Sequence, residues 1–382
     1  MDRAPLPQAL SWFIREVLRL PTLLNTVTVK RRRNAARPVR RRRSAFRDPM
    51  MCLDFLAMAW AGATRLSHIA RHLAPRDDLA RVFGLPRFAD HTTTHNFLNA
   101  FHVTHLRQLD RVNDQLLHRQ GLGAKERPAC LDLDLARRPV RKRAGGIRTT
   151  YLWATAFADR LCVAQRLDED LDNPVATLLD VLARARAIWR KRPRLIRLTA
   201  PCVAEPLLRA LLRQKMNFLA TTTWAWALAR THSPVEGVSW QVLGPETRTR
   251  DLGLVTVGPA GRPNARIVLV EEPSIVPGAP PDRFALVTSL LDADLATLEV
   301  LANRATTLRA FFGHPTWPLR DGKPPSSRHR GMAAYLRLAT IAMNVLVLFA
   351  RELGPPWTPG SVHRALRVVP WPSDFARAIA SP

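Results

Sequence analysis

The hydrophobic pattern changes period near residue 129, and this change limits the possible folds more than any other feature. Upstream, apolar side chains recur at helical spacing: Met51, Leu53, Phe55, Leu56, Met58 and Trp60, then Leu66, Ile69, Ala70 and Leu73, then Leu79, Val82 and Phe83. From Cys130 the run Cys130-Leu131-Asp132-Leu133-Asp134-Leu135 alternates apolar and acidic residues, the period of a strand with one wet face. Residues 151–157 and 161–165 read as two more strands, joined by a turn at Ala158-Asp159-Arg160. Asn173-Pro174 opens a helix that runs to Ile188; a strand at 195–198, a helix at 206–212 and a strand at 217–221 follow. Helices that give way to strands, and then to αβ alternation, predict an α/β fold: a mixed sheet covered by helices behind a helical N-terminal domain.

The remaining elements are assigned in the same way. Residues 5–20 form an amphipathic helix, and Asp48 sits where it can cap the helix beginning near Met51. Residues 222–281 are rich in strands and turns, with the clearest strand at 267–270; another lies at 284–288. Helices are expected at 291–312 and 332–353. The tail carries five prolines from Pro355 to Pro372 and reads as irregular. The expected division is 1–47 as a helix and basic arm, 48–125 as a helical domain, 126–353 as a core with a β-rich insertion at about 222–281, and 354–382 as the tail.

Composition matters mainly through charge. Lys+Arg total 58 against 31 Asp+Glu, a net charge of +27, and such a balance concerns partners, not fold. Residues 30–47 hold ten basic side chains and no acid: Lys30, Arg31, Arg32, Arg33, Arg37, Arg40, Arg41, Arg42, Arg43 and Arg47. A block of this kind repels itself until it meets a polyanion, and nucleic acid is the abundant one. A competing source is codon bias, since only six of the 58 are Lys. The hydrophobic fraction of 47% excludes wholesale disorder. Four cysteines, at 52, 130, 162 and 202, lie too far apart for a zinc knuckle or redox pair and read as buried thiols. The longest uncharged apolar run, thirteen residues between Arg337 and Arg351, is too short to cross a bilayer. Arg15, Glu16 and Arg19 break the N-terminal apolar stretch, so no signal peptide is expected and a cytoplasmic, nucleoid-associated protein is.

Two groups of side chains are candidates for chemistry. Asp132 and Asp134 face the same side of one strand, where two carboxylates need a counter-charge; a divalent ion is one solution, and Arg137 and Arg138 beside a wet edge are another. Gly84-Leu85-Pro86 followed by Thr92-Thr93-Thr94 and the apolar face Phe97, Leu98 and Phe101 fits a helix-turn-helix, or an ordinary helical hairpin. His91/His95 and His68/His72 have helix-face spacing but lack the glutamate of the zinc motif, so they read as surface histidines. The acidic stretch Asp168-Glu169-Asp170 reads as a polar loop, and Trp224 and Trp226 as core or strand pairs.

The order of these features resembles the DDE transposases of bacterial insertion sequences, whose core is RNase H-like. Residues 56–73 and 81–101 are similar to that family's N-terminal domain, with its Gly-Leu-Pro turn and Ser/Thr-rich helix ending in Phe-Leu. "ACLDLDLA" at 129–136 resembles its first catalytic strand, 194–222 its second site, 285–312 the helix of its third, and 336–350 its closing helix. The resemblance implies double-stranded DNA as partner, two copies of the chain as an assembly, no small-molecule substrate and no membrane. Lys30, Arg31, Arg32, Arg33, Arg40, Arg41, Arg42, Arg43, Thr93, Thr94, Asn96 and Arg304 are its implied DNA contacts. It implies Mg2+ or Mn2+ held by three acids. Only the first is retained: Asp134, with Asp132 as the alternative. Ala200 falls at the second position and Leu308 at the third, with Glu205 and Glu299 as the acids nearest in sequence. Alanine and leucine offer no ligand oxygen, so the expectation is a degenerate triad, a catalytically silent core and no resident metal. The alternative is a non-enzymatic DNA-binding regulator or architectural protein.

Overall fold

The computed structural model describes residues 5–29, 46–63, 65–121, 129–141, 148–169, 171–189, 192–231, 239–242, 247–257, 264–274, 279–303, 311 and 326–367. The arm residues Lys30–Arg33 and Arg40–Arg43, together with Arg304 and Leu308, lie outside the described residues. The chain divides into a helical unit (1–122, 138–151 and 309–382) and a sheet unit (123–137 and 152–308).

The helical unit contains α1 (Leu6–Trp12), α2 (Leu20–Leu24), α3 (Asp48–Trp60), α4 (Asp77–Val82), α5 (His91–Asn99) and α6 (Val103–Arg119). Two further helices lie near the C-terminus, α11 (His329–Leu353) and α12 (Pro359–Leu366). π-Helical turns at Phe13–Val17 and Ile69–Leu73 complete it. α11 is its axis: apolar on every side and buried along most of its length, it packs against α3, α5, α6 and α12. It is the one helix among the described residues long and apolar enough to cross a membrane, and its apolar window is wholly buried in this unit. Two polar side chains of α11 and one of its carbonyls bond neighbouring helices. Arg337 Nε donates to Asp110 Oδ1 at 2.7 Å, Asn344 Nδ2 to Asn113 Oδ1 at 2.8 Å, and Trp60 Nε1 to the Ala342 carbonyl at 3.0 Å. These pairs fix the register of helices that apolar contact alone would leave free to slide.

Two expectations are corrected here. The sequence order places α11 at the end of the core, yet it belongs to the helical unit. The proline-rich tail is not wholly irregular. Pro359 occupies the first turn of α12, Thr358 and Ser361 form a capping box, and His363 is buried against the Ala59 carbonyl at 3.0 Å. Proline in a first turn costs no hydrogen bond and presets the helical φ, so the residue that looked like a breaker is a starter.

The sheet has nine strands in the order β3-β2-β1-β4-β5-β9-β8-β7-β6. They are β1 (Cys130–Arg141), β2 (Arg148–Ala158), β3 (Leu161–Asp168), β4 (Leu195–Leu198), β5 (Phe218–Thr222), β6 (Gln241–Val242), β7 (Arg248–Val255), β8 (Ala265–Glu272) and β9 (Asp282–Thr288). β2 and β3 form an antiparallel hairpin whose turn residues, Asp159 and Arg160, both have positive φ (48° and 62°), the tight-turn geometry that matches strand twist. β4 runs parallel to β1 and to β5. Parallel neighbours need crossovers, and α7 (Pro174–Trp189) and α8 (Glu205–Arg213) supply them. The remaining strands pair antiparallel and carry the sheet outward through the insertion. α9 (Trp224–Leu228) and α10 (Leu295–Asn303) complete the unit. Leu298 of α10 packs on Leu195, Leu219, Val268, Val270 and Leu286, so one apolar layer spans the parallel and antiparallel parts. The architecture is therefore a mixed α/β fold, a mixed sheet flanked by helices.

Candidate functional sites: a carboxylate pair and two basic surfaces

Asp132 and Asp134 lie on β1 and are almost fully buried, at 4% and 6% exposure. The parallel register sets Asp132 opposite Arg197 of β4. Arg197 grips it with both arms of the guanidinium, Nε on Oδ1 and Nη2 on Oδ2 at 3.0 Å, while Nη1 donates to the Leu301 carbonyl on α10 at 2.9 Å. Two residues on, Thr199 Oγ1 donates to Asp134 Oδ1 at 2.7 Å, and the Leu135 amide donates to the same oxygen at 2.7 Å. Each carboxylate is thus met by a donor across the strand pair. Ala200 opens a short 3-10 turn, Ala200–Cys202, and the β4 side chain bonded to Asp134 is that of Thr199. Cys202 lies below, its thiol pushed up to about 12 by burial and by the neighbouring Asp134 charge. Such a thiol is neutral and inert.

The other acids named from the sequence have partners of their own. Glu205, at the start of α8, bonds Arg209 and lies 3.8 Å from Arg230; the Arg209 hydrogen bond holds its carboxyl below the usual range. Glu299 is close enough to Glu272 that its charge adds to the burial raising that carboxyl. Asp168 joins β3 to α7, through Arg166 at 2.7 Å and Thr177 Oγ1 at 3.2 Å; Asp170 lies outside the described residues. Among the described residues no group of three His, Cys, Asp or Glu side chains could hold a metal ion.

In the helical unit, the cap of α5 is Asp90. Its Oδ1 accepts from the Thr93 amide and its Oδ2 from Thr93 Oγ1, both at 2.7 Å. Thr94 is fully buried and donates to the Asp90 carbonyl, so it offers no surface to a partner. Asn96 is exposed and Thr93 half-buried. α4 ends at Val82 and α5 begins at His91, a longer connection than the short turn of a helix-turn-helix. What the sequence did not reveal is the neighbour of α5. Ser326, just before α11, donates to Asn99 Oδ1 at 2.6 Å, and Arg330 bonds His102 Nδ1 at 3.0 Å. Gly331 is required by this approach, because a Cβ there would run into the side chains of Ser326 and Asn99. The start of α11 therefore sets Arg328, His329 and Arg330 beside the end of α5, with Arg328 and Arg330 exposed. Residues 91–109 and 326–350 contain no acid. Helix starts usually carry acids against the dipole, so cations in the first turn of a long helix add to its positive end.

A second basic surface lies on the insertion. Trp224 and Trp226 are on α9, neither in the core nor in strand pairs. Trp224 stacks on Trp240 with ring centroids 5.9 Å apart. Arg230 lies 3.9 Å over Trp226, Arg250 4.9 Å over Trp240 and Arg283 5.0 Å over Trp224. Indole faces hold guanidinium groups in place; Arg283 also pairs with Glu271 at 3.0 Å, and Arg230 lies 3.8 Å from Glu205. No protein-family model matches the chain, and no curated protein matches it.

Proposed function

We propose that the chain is a DNA-binding protein of the insertion-sequence transposase type, with an RNase H-like core that has lost its catalysis. The observation that carries the reading is the order of the first five strands, β3-β2-β1-β4-β5, with parallel crossovers through α7 and α8 and the Asp132/Asp134 pair on the central strand. In such a core that strand bears the first metal-binding acid. Here arginine and threonine answer the two carboxylates, and the position of the second acid is Ala200. The retained role is binding.

The face that supports DNA as the ligand is the acid-poor corner formed by Asn96, His102, Arg328 and Arg330, aided by the arm at 30–47. Arginines on phosphate give affinity, and an exposed amide such as Asn96 can read a base edge. The Arg–Trp surface of the insertion is a second basic patch in the same chain. A bacterial cytoplasm, with the protein on the nucleoid and two copies engaging paired DNA ends, completes the proposal. No small-molecule substrate and no resident metal are part of it.

The test is binding of the full chain to labelled duplex DNA by fluorescence anisotropy, with Mg2+ or with EDTA. The reading predicts affinity that falls steeply with salt, needs no Mg2+ (binding persists in EDTA) and yields no cut strand. Metal-dependent nicking abolished by Asp134→Ala would overturn the silent core. Binding unaffected by Arg328→Ala/Arg330→Ala would remove the assigned face.

A further inference from the structure

The geometry points to Arg197 as a built-in cation that takes the place of divalent ions between β1 and β4 and closes that site to metal. The inference does not depend on DNA binding, since it concerns only how two buried carboxylates are compensated. A charge taken out of water needs a counter-charge or must be neutralised. For Asp132 the counter-charge is covalently part of the chain. The β1–β4 register puts Arg197 directly across, on the same face, and the planar fork matches both carboxylate oxygens. The third nitrogen is tied to Leu301 at 2.9 Å, so the guanidinium is anchored on two elements besides its own strand. The side chains are 10% and 5% exposed, which leaves little water to compete.

A magnesium or manganese site asks for several anionic or neutral oxygens converging at short range. The donor set here does not fit. Both oxygens of Asp132 are engaged by the guanidinium. Oδ1 of Asp134 accepts from a hydroxyl and from an amide, both of which point protons at it. Ala200 supplies nothing, and the neutral Cys202 thiol is a soft ligand in the wrong protonation state. A dication would also face the fixed positive charge of Arg197. The metal implied by the family resemblance is therefore excluded by the residues themselves, and one substitution should reverse this. Arg197→Met removes the charge while keeping the apolar stem, and frees both Asp132 oxygens from the guanidinium.

The experiment uses the full chain and Mn2+ as probe, followed by loss of the aqueous Mn2+ signal in electron paramagnetic resonance. The native chain is expected to leave the signal unchanged. Arg197→Met is expected to remove about one ion per chain, and adding Asp134→Asn is expected to abolish that uptake. A folded Arg197→Met chain that binds no Mn2+ contradicts the proposal. If Arg197→Met folds only with Mn2+ present, the proposal is supported by that dependence. If it does not fold at all, the native chain decides: thermal unfolding should be the same in EDTA and in Mg2+. A rise of the melting temperature in Mg2+ that disappears in Asp134→Asn would overturn the assignment.

Discussion

The two regions that hold this protein's charge treat it in opposite ways. On β1 and β4, charge is buried and answered within the chain: Asp132 by Arg197, Asp134 by Thr199. At the meeting of α5 and α11, cations are exposed, set at a positive helix end, and surrounded by sequence without acids. The first arrangement leaves little for an outside ligand to satisfy. The second lowers its energy only when an anion arrives. Under the proposed function, the difference separates a scaffold from a binding face, although both are built on arginine.

The same substitution in the two places should therefore give opposite results, and this is the sharpest way to break the comparison. Arg197→Ala leaves a buried carboxylate without its cation and should cost about 3–5 kcal/mol of stability, read from chemical denaturation. Arg328→Ala should change stability by less than about 0.5 kcal/mol. If Arg197→Ala is as mild as Arg328→Ala, the internal compensation is not what holds β1 to β4.

Asp54 sharpens the comparison from within the helical unit. It is fully buried on α3, its Oδ1 accepts from the Ala89 amide at 3.1 Å, and Oδ2 has no partner. Without a guanidinium, burial pushes its carboxyl up from 3.8 to about 7, with the nearby Asp90 charge adding to the rise. A carboxyl raised on folding favours the folded state fully below the unfolded value, and that advantage is lost as pH rises through the folded one. Stability should fall between about pH 4 and pH 7, by on the order of 4 kcal/mol, and level off above. In Asp54→Asn this slope should vanish. If the slope persists, Asp54 is not its source.

Smaller effects concern the binding face. Arg328→Ala and Arg330→Ala should each lower the slope of log affinity against log salt by roughly one if each meets one phosphate. Replacing Arg40 to Arg43 with alanine should lower it further. An unchanged slope in all of these variants would move the polyanion contact to the Arg–Trp surface. Asp90→Ala removes the cap of α5 and should cost about 1 kcal/mol, whereas Asn96→Ala should leave stability alone and alter only preference among DNA sequences.

The parts of the fold legible in the sequence are those in which local pattern decides. The β1 alternation, the β2–β3 hairpin and the α7 and α8 crossovers all follow from spacing and turn residues. The unread parts depend on distant pairing. Asp132 was visible as an acid in a strand, but its partner is 65 positions away and faces it only through the parallel register. The join of α5 to α11 spans 227 positions, from Asn99 to Ser326, and no local signal announces it. The unit to which α11 belongs is not legible locally, because a helix apolar on every side carries no record of which neighbours cover it. The burial of Thr94 is hidden for a simpler reason: three consecutive threonines look equivalent until the Asp90 cap fixes the rotation of the helix.

The most direct test of the account is the salt dependence of duplex DNA binding by the full chain, measured once in Mg2+ and once in EDTA with the DNA recovered afterwards. The account predicts steep salt dependence in EDTA, a shallower line in Mg2+ because that ion competes for the same phosphates, and intact strands in both. Binding that disappears when EDTA removes the metal, or strands cut in Mg2+ alone, would contradict it.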